Sequence, residues 1–339
     1  GDTTPTGQTP EVFCFAEMID KLRPLYQEAK RKAKADSTGD VRKGVGISLG
    51  IYGCGLDGPD SSEIRVELNP DNSVTVFNAW EDHGQGADMG ALGTAHKALR
   101  PLGLTPERIH LVMNDTALTP NAGPAGGSRS QVMTGNAIKN GCEMLVAAMR
   151  KPDGTYRTYQ EMAAEKLAVS YSGVWTASMC TACSLETAQG APFPVYMYGM
   201  FMAEVAVDTN TGKTAVEGFT VMADVGSINN KLVVDGQIYG GIAQGIGLAL
   251  TEDFEDLKKH TTLHACGLPY PKDIPDRIDI HYIETPRENG PFGAAGVGEL
   301  PLTSSHVAVI NAIYDATGVR IRHLPALPGK VLAGLNALK

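Results

Sequence analysis

Glu299 is the residue in this sequence most suited to moving a proton. It ends the run Gly293-Ala294-Ala295-Gly296-Val297-Gly298, is followed by Leu300 and Pro301, and stands just ahead of a helix. Apolar flanks disfavour its charged form, and the positive end of a following helix favours it. A lone carboxylate in such a setting is a candidate general base. A helix-capping glutamate is the structural alternative, and composition alone leaves the two open.

Three further segments have the chemistry of ligand contact. His83-Gly84-Gln85-Gly86 precedes a helix; its glycines let backbone approach a ligand, and Gln85 offers donors and an acceptor. A plain turn with an exposed histidine is the simpler reading of that loop alone. Gly126-Gly127-Ser128-Arg129-Ser130-Gln131 opens a long helix, with hydroxyls at Ser128 and Ser130 and, at Arg129, a fixed charge suited to phosphate. Its alternative is a helix cap with a salt-bridged arginine. The helix around Gly236–Gly247 is loaded with small residues, although each interior glycine costs about 1 kcal/mol relative to alanine. Gln237 and Gln244 share one of its faces and could hydrogen-bond one ligand, or the backbone of a facing segment.

Other chemistries find little support. Cys180-Thr181-Ala182-Cys183 lacks the second pair or neighbouring histidines that a zinc site needs, so its cysteines read as ordinary thiols. Gly212-Lys213-Thr214 resembles the end of a P-loop, but Val207 stands where the first glycine belongs and the segment is a turn between strands. Gly245-Ile246-Gly247 lies inside a helix and lacks the third glycine of a dinucleotide fingerprint.

The elements that must position these loops form a repeat. Glu63–Leu68 and Ser73–Ala79 read as a hairpin around Asn69-Pro70-Asp71-Asn72. A polar loop, a helix near Asp88–Leu99, a strand at Ile109–Met113, the glycine-rich loop and a helix through Met149 follow. Met200–Val207 and Lys213–Met222 begin the same order again. It continues through Asp224–Asn230, a helix near Gln237–Leu250, the strand Ile278–Ile283, the loop Asn289–Gly298 and the helix Thr303–Ala316, stopped by Gly318. The expected fold is α+β, two similar α/β subdomains enclosing a cofactor cleft. The expected segments are a linker helix region (1–43), a first half (44–150), a connector (151–199) with a capping box at Thr158-Tyr159-Gln160-Glu161, and a second half (200–339) with the Glu299 loop. The helix of the first segment is expected to start at Thr9-Pro10-Glu11 and to break or kink at Pro24. Helix starts facing each other across a cleft would grip a large anionic ligand.

Bulk properties agree with a soluble chain. A net charge of -9 over 339 residues argues against nucleic acid or anionic membrane as partner. No apolar run reaches the ~20 residues a membrane helix needs. The six scattered cysteines suit a reducing compartment, here expected to be the cytoplasm. The start at Gly1, without an initiator methionine, suggests a fragment.

Jointly these motifs resemble the molybdenum hydroxylases, the xanthine oxidase family. The resemblance is carried by Gly296-Val297-Gly298-Glu299 with Pro301, the His83–Gly86 loop, the Gly126–Ser130 loop, the Gln237–Gly247 helix and the tail Asn311–Gly318 with Arg320-Ile321-Arg322. It covers about Lys43 to Lys330 and is greatest to aldehyde-oxidising bacterial members. It implies molybdopterin cytosine dinucleotide carrying molybdenum held by the pterin dithiolene, with no protein metal ligand. It implies oxidation of an aldehyde to a carboxylic acid with water as oxygen source and Glu299 as base. Gln85, Ser128, Arg129, Ser130, Gln237 and Gln244 would hold the cofactor, and Gly127, Val297 and Gly298 would line the metal site through backbone. It further implies two [2Fe-2S] clusters in an N-terminal part beyond this sequence, an acceptor such as flavodoxin or ferredoxin, and a homodimer. This chain departs from many relatives in placing Leu300 between the glutamate and the proline, and it has no cysteine cluster suited to an iron–sulfur centre. A purine or N-heterocycle hydroxylase of the same family is the alternative activity, and a non-catalytic anion- or nucleotide-binding scaffold the alternative class.

Overall fold

A computed structural model describes residues 3–338; residues 1, 2 and 339, the outermost of the expected first and last segments, lie outside the described residues. In chain order the elements are α1 (Phe15–Asp36), β1 (Val41–Cys54), β2 (Ser61–Leu68), β3 (Val74–Asn78), α2 (Ala87–Ala98), β4 (Ile109–Met113), α3 (Ser130–Met149), α4 (Tyr159–Ala164) and β5 (Ser170–Thr176). They continue with β6 (Val195–Asp208), β7 (Thr214–Asp224), α5 (Lys231–Leu250), β8 (Ile278–Tyr282), α6 (Ser305–Thr317) and α7 (Pro328–Ala337).

Two four-stranded sheets carry the repeat, in the orders β5-β2-β3-β4 and β1-β6-β7-β8. Each pairs antiparallel, antiparallel and then parallel along that order. The parallel step in each sheet is a crossover through a helix, α2 in one and α5 in the other, as parallel neighbours require. β2 alternates exposed and buried residues, presenting Ile64, Val66 and Leu68 to a core shared with Leu99, Ile138 and Leu145. The second core gathers Phe201, Phe219, Ile242 and Ile313.

Two strands fall outside the expected halves. β1, expected within the first half, pairs along its length with β6 of the second. β5, expected within the connector, completes the first sheet on β2. The first half is therefore the continuous stretch 61–176, and the second is assembled from 41–54 and 195–317. Close helix approach explains both additions. A Cβ at Gly173 of β5 would lie 2.1 Å from the Ala137 carbonyl oxygen of α3, and one at Gly46 of β1 would lie 2.2 Å from that of Ala308 on α6. The free edge of β1 is covered by α6: the Val45 N–H donates to Asp315 Oδ2 at 2.8 Å, and the Ile47 carbonyl accepts from Asn311 Nδ2 at 2.9 Å.

Two helix boundaries differ from expectation. α1 begins at Phe15 and runs unbroken through Pro24. Pro24 is exposed, and buried Met18 and Leu22 before it and Ala29 and Ala33 after it hold the helix across the missing N–H against Tyr198 and Met200. α5 starts six residues earlier than its apolar pattern suggested, because the Asn230 side chain accepts from the Val233 N–H. The capping box at Thr158 and the Gly318 stop stand as read.

Candidate active site

A cavity of about 470 Å³ lies between the two halves. The first half contributes His83, Gln85 and Gly86 at the start of α2, and Gly126, Ser128, Arg129, Ser130 and Gln131 at the start of α3. The second contributes Asn230, Val233, Gln237 and Gln244 from the cap and body of α5, and the loop Ala295–Glu299. Of the residues expected at the site only Gly84 and Gly127 do not line this space. Gly84 is exposed, whereas Gly127 sits behind the wall, its carbonyl accepting from the Gly55 N–H at 3.0 Å.

Glu299 is the one carboxylate among the described residues lining the cavity. It is half-buried, and its partner comes from the other half. Ser128 Oγ donates to Glu299 Oε2 and accepts the Glu299 backbone N–H at 3.1 Å. The two loops touch again at Gly296, where a Cβ would lie 2.2 Å from the Ser128 carbonyl oxygen. Beneath them Cys54 Sγ accepts the Gly296 N–H at 3.4 Å. Burial pushes that thiol up to about 12, so it stays neutral under the acid.

The structure revises the expectation for Arg129. Its guanidinium does not offer charge to the cavity but is spent inside the first half. Nε and Nη2 bind Asp60 in a bidentate pair at 2.7 and 2.8 Å, and the remaining hydrogen bonds go to the carbonyls of Ala122, Pro124 and Ser61. Both side chains are buried. Arg129 thus shapes the glycine-rich loop from behind, and only its margin reaches the cavity wall. The loop's own sequence suited an anion, and the acid that claims the arginine lies 69 residues away.

Several contributors carried no sequence signal of their own. Asp82 organises the His83–Gly86 loop, accepting the backbone N–H groups of Gly84 at 2.8 Å, Gly86 at 3.4 Å and Asp88 at 3.1 Å. Desolvation opposes its charge, but these donors prevail and hold it at about 2. Gln85 turns inward on that loop: its amide donates to the Glu81 carbonyl at 2.6 Å and accepts the His83 N–H at 2.7 Å. Gln237 Nε2 reaches the Gln85 carbonyl at 3.4 Å, so α5 touches the opposite half here too. Asn229 bridges the halves to Gly90, Thr94 and Gln131. Its place beside the Asn230 cap was the available clue.

The geometry suits a large, hydrogen-bonding, anionic group. Gln131 Nε2 is buried at the cavity wall without a protein partner, a donor awaiting an acceptor. A Cβ at Gly126 would meet nothing within 4 Å, so backbone is open to close approach. The starts of α2, α3 and α5 converge on the same space, which favours negative charge.

Residues 21–275 match the family described as the molybdopterin cofactor-binding domain. The chain belongs to that family. Aldehyde oxidoreductase of Megalodesulfovibrio gigas is 62% identical to this molybdopterin cofactor-binding chain over 337 residues, which are 99% of the chain and 37% of that protein. The solved structure of aldehyde oxidoreductase from Desulfovibrio desulfuricans has a TM-score of 0.96 at 62% identity, over 98% of this chain and 37% of that one. The gamma subunit of the 6-hydroxypseudooxynicotine dehydrogenase complex of Paenarthrobacter nicotinovorans is 28% identical over 96% of the chain and 43% of its own length. The chain therefore spans well under half the length of these relatives. No helix among the described residues is long and apolar enough to cross a membrane.

Proposed function

We propose that this chain is the cofactor-clamping part of an aldehyde oxidoreductase, converting aldehydes to carboxylic acids with water as oxygen source. The observation that carries the reading is a single acid, Glu299, at the seam of a cavity built to hold an anionic cofactor. The 62% identity to an aldehyde oxidoreductase supports the substrate class.

The molybdenum cofactor supplies, when bound, a two-electron acceptor and Lewis acidity. Ser130, Gln131, Gln237 and Gln244 would hydrogen-bond the cofactor, helped by backbone at His83, Gln85, Gly86, Gly126, Val297 and Gly298. The starts of α2, α3 and α5 take its phosphates, with Arg129 fixing the loop from behind. Glu299 takes the proton of the water-derived oxygen as that oxygen attacks the carbonyl carbon. General-base help of this kind is worth roughly 10²–10⁴-fold.

The same reading assigns the cofactor its cytosine dinucleotide form, and gives the longer protein two [2Fe-2S] clusters, a flavodoxin or ferredoxin as acceptor, a homodimeric state and a cytoplasmic location. These extend the resemblance seen in the sequence. Mass spectrometry of the released nucleotide, iron and sulfide analysis, and sedimentation of the intact protein test the first, second and fourth of them.

The decisive experiment uses the intact protein carrying Glu299→Gln. Molybdenum and pterin content is expected to be unchanged while dye reduction with acetaldehyde or benzaldehyde falls by roughly 10²–10⁴-fold. Unchanged turnover would remove Glu299 from the mechanism. Xanthine oxidised in preference to both aldehydes would overturn the substrate class.

A further inference from the structure

We infer that Ser128 is a positioning residue for Glu299, its hydroxyl deciding which carboxylate oxygen is left free to accept a proton. This rests on Glu299 being the base, and it gives Ser128 a task other than the cofactor contact expected from its loop.

The geometry is a two-way clamp. One hydroxyl cannot both donate to Glu299 Oε2 and accept the Glu299 N–H unless side chain and backbone of that glutamate are fixed together. The donated bond occupies Oε2. No hydrogen bond to Oε1 is present among the described residues, so Oε1 is the oxygen open to a proton. The acid thereby enters the reaction with its rotamer already chosen, and a group that need not search for its orientation loses less on reaching the transition state.

The backbone beneath the hydroxyl is built for this aim. Ser128 has φ of +48°, a left-handed conformation that residues with side chains rarely adopt. Non-glycine residues held in that region tend to mark places where orientation matters more than local ease. Three contacts hold it there. The Gly127 carbonyl is tied to the Gly55 N–H, Gly296 seats directly on the Ser128 carbonyl, and the buried Arg129–Asp60 pair anchors the next residue. A residue needed only as a hydroxyl pointing into the cavity would not require the contact to Glu299. A residue needed only for its backbone would be better as glycine.

That contrast supplies the test, made on the intact protein. Ser128→Ala removes the hydroxyl and keeps the strained backbone; Ser128→Gly removes the hydroxyl and relieves the strain. Both are expected to lower kcat per bound molybdenum by about 10- to 100-fold. KM for the aldehyde is expected to stay within about twofold and cofactor content to match the parent, as befits a group acting in the reaction rather than in binding. Adding either change to Glu299→Gln is expected to cost less than about twofold more, since the two residues act as one unit. Wild-type kcat in Ser128→Gly would overturn the inference in favour of a purely conformational role. Loss of molybdenum from both variants would overturn it in favour of a cofactor ligand. Full, independent losses in the double variants would also refute it. If Glu299→Gln alone leaves turnover intact, the base assignment itself fails. If Glu299→Gln abolishes turnover while both Ser128 variants keep theirs, only the positioning role is lost.

Discussion

Replacing Gly296 with alanine would push the two halves of the site apart at the point where they meet. The new methyl would stand 2.2 Å from the Ser128 carbonyl oxygen and 2.8 Å from its Cβ. Comfortable carbon contacts begin near 3.5 Å, so the loops must separate by roughly 1.3 Å, the difference between about 3.5 and 2.2. Neither side yields easily, because Ser128 is pinned by Gly127 and Arg129, and Gly296 by Cys54 and the cavity wall. Overpacking of this sort costs about 1–3 kcal/mol of stability. A misplacement near 1 Å of a group that must meet a reacting atom costs up to about 100-fold in rate. Gly296→Ala in the intact protein is therefore expected to melt earlier and to reduce dye about 100-fold more slowly per bound molybdenum. Gly329→Ala, whose added Cβ meets nothing within 4 Å on helix α7, serves as the control and is expected to keep parental turnover and to melt no earlier than the parent. A Gly296→Ala protein with parental melting and turnover would refute the claimed contact between the halves.

Two other perturbations probe the supports. Asp60→Asn leaves a buried guanidinium without its counter-charge and is expected to cost about 3–5 kcal/mol in denaturant melts. The apolar double variant Asp60→Leu, Arg129→Met should not recover this loss, because the carbonyls of Ala122, Pro124 and Ser61 lose their donor; a double variant as stable as the parent would contradict the staple. Asp82, held at about 2 against an ordinary 3.8, binds fewer protons folded than unfolded. Its stabilising effect is thus present above pH 3.8 and lost as pH falls towards 2. Hydrogen exchange at Gly84, Gly86 and Asp88 is expected to lose protection across that window, and in Asp82→Ala to be unprotected already at neutral pH; equal protection in both proteins would sink this account.

The hairpins, the parallel strands and the final helix of each half were legible because they depend on local signals. The Asn69–Asn72 turn, the alternation in β2, the Thr158 capping box and Gly318 each act within a few residues. The loops of the site were legible for the same reason, since glycine and hydroxyl residues ahead of a helix announce backbone brought close to a ligand. What was not legible is long-range. Nothing near Arg129 signals that Asp60 takes its charge, nothing in 41–54 signals pairing with β6, and nothing near Ser128 signals that its hydroxyl belongs to Glu299. Pro24 shows the complement: a local stop signal that packing on both sides overrides.

The placement of β1 makes the first half a guest within the second. Residues 61–176 form an inserted unit, and the host is not whole until β6 returns to pair with β1 after a detour of about 140 residues. During synthesis the guest can close while β1 waits without its partner strand. Glu299 meets Ser128 only once the host has wrapped round its insert. The Glu299–Ser128 contact is thus a late product of folding, assembled at the suture where the inserted unit joins its host.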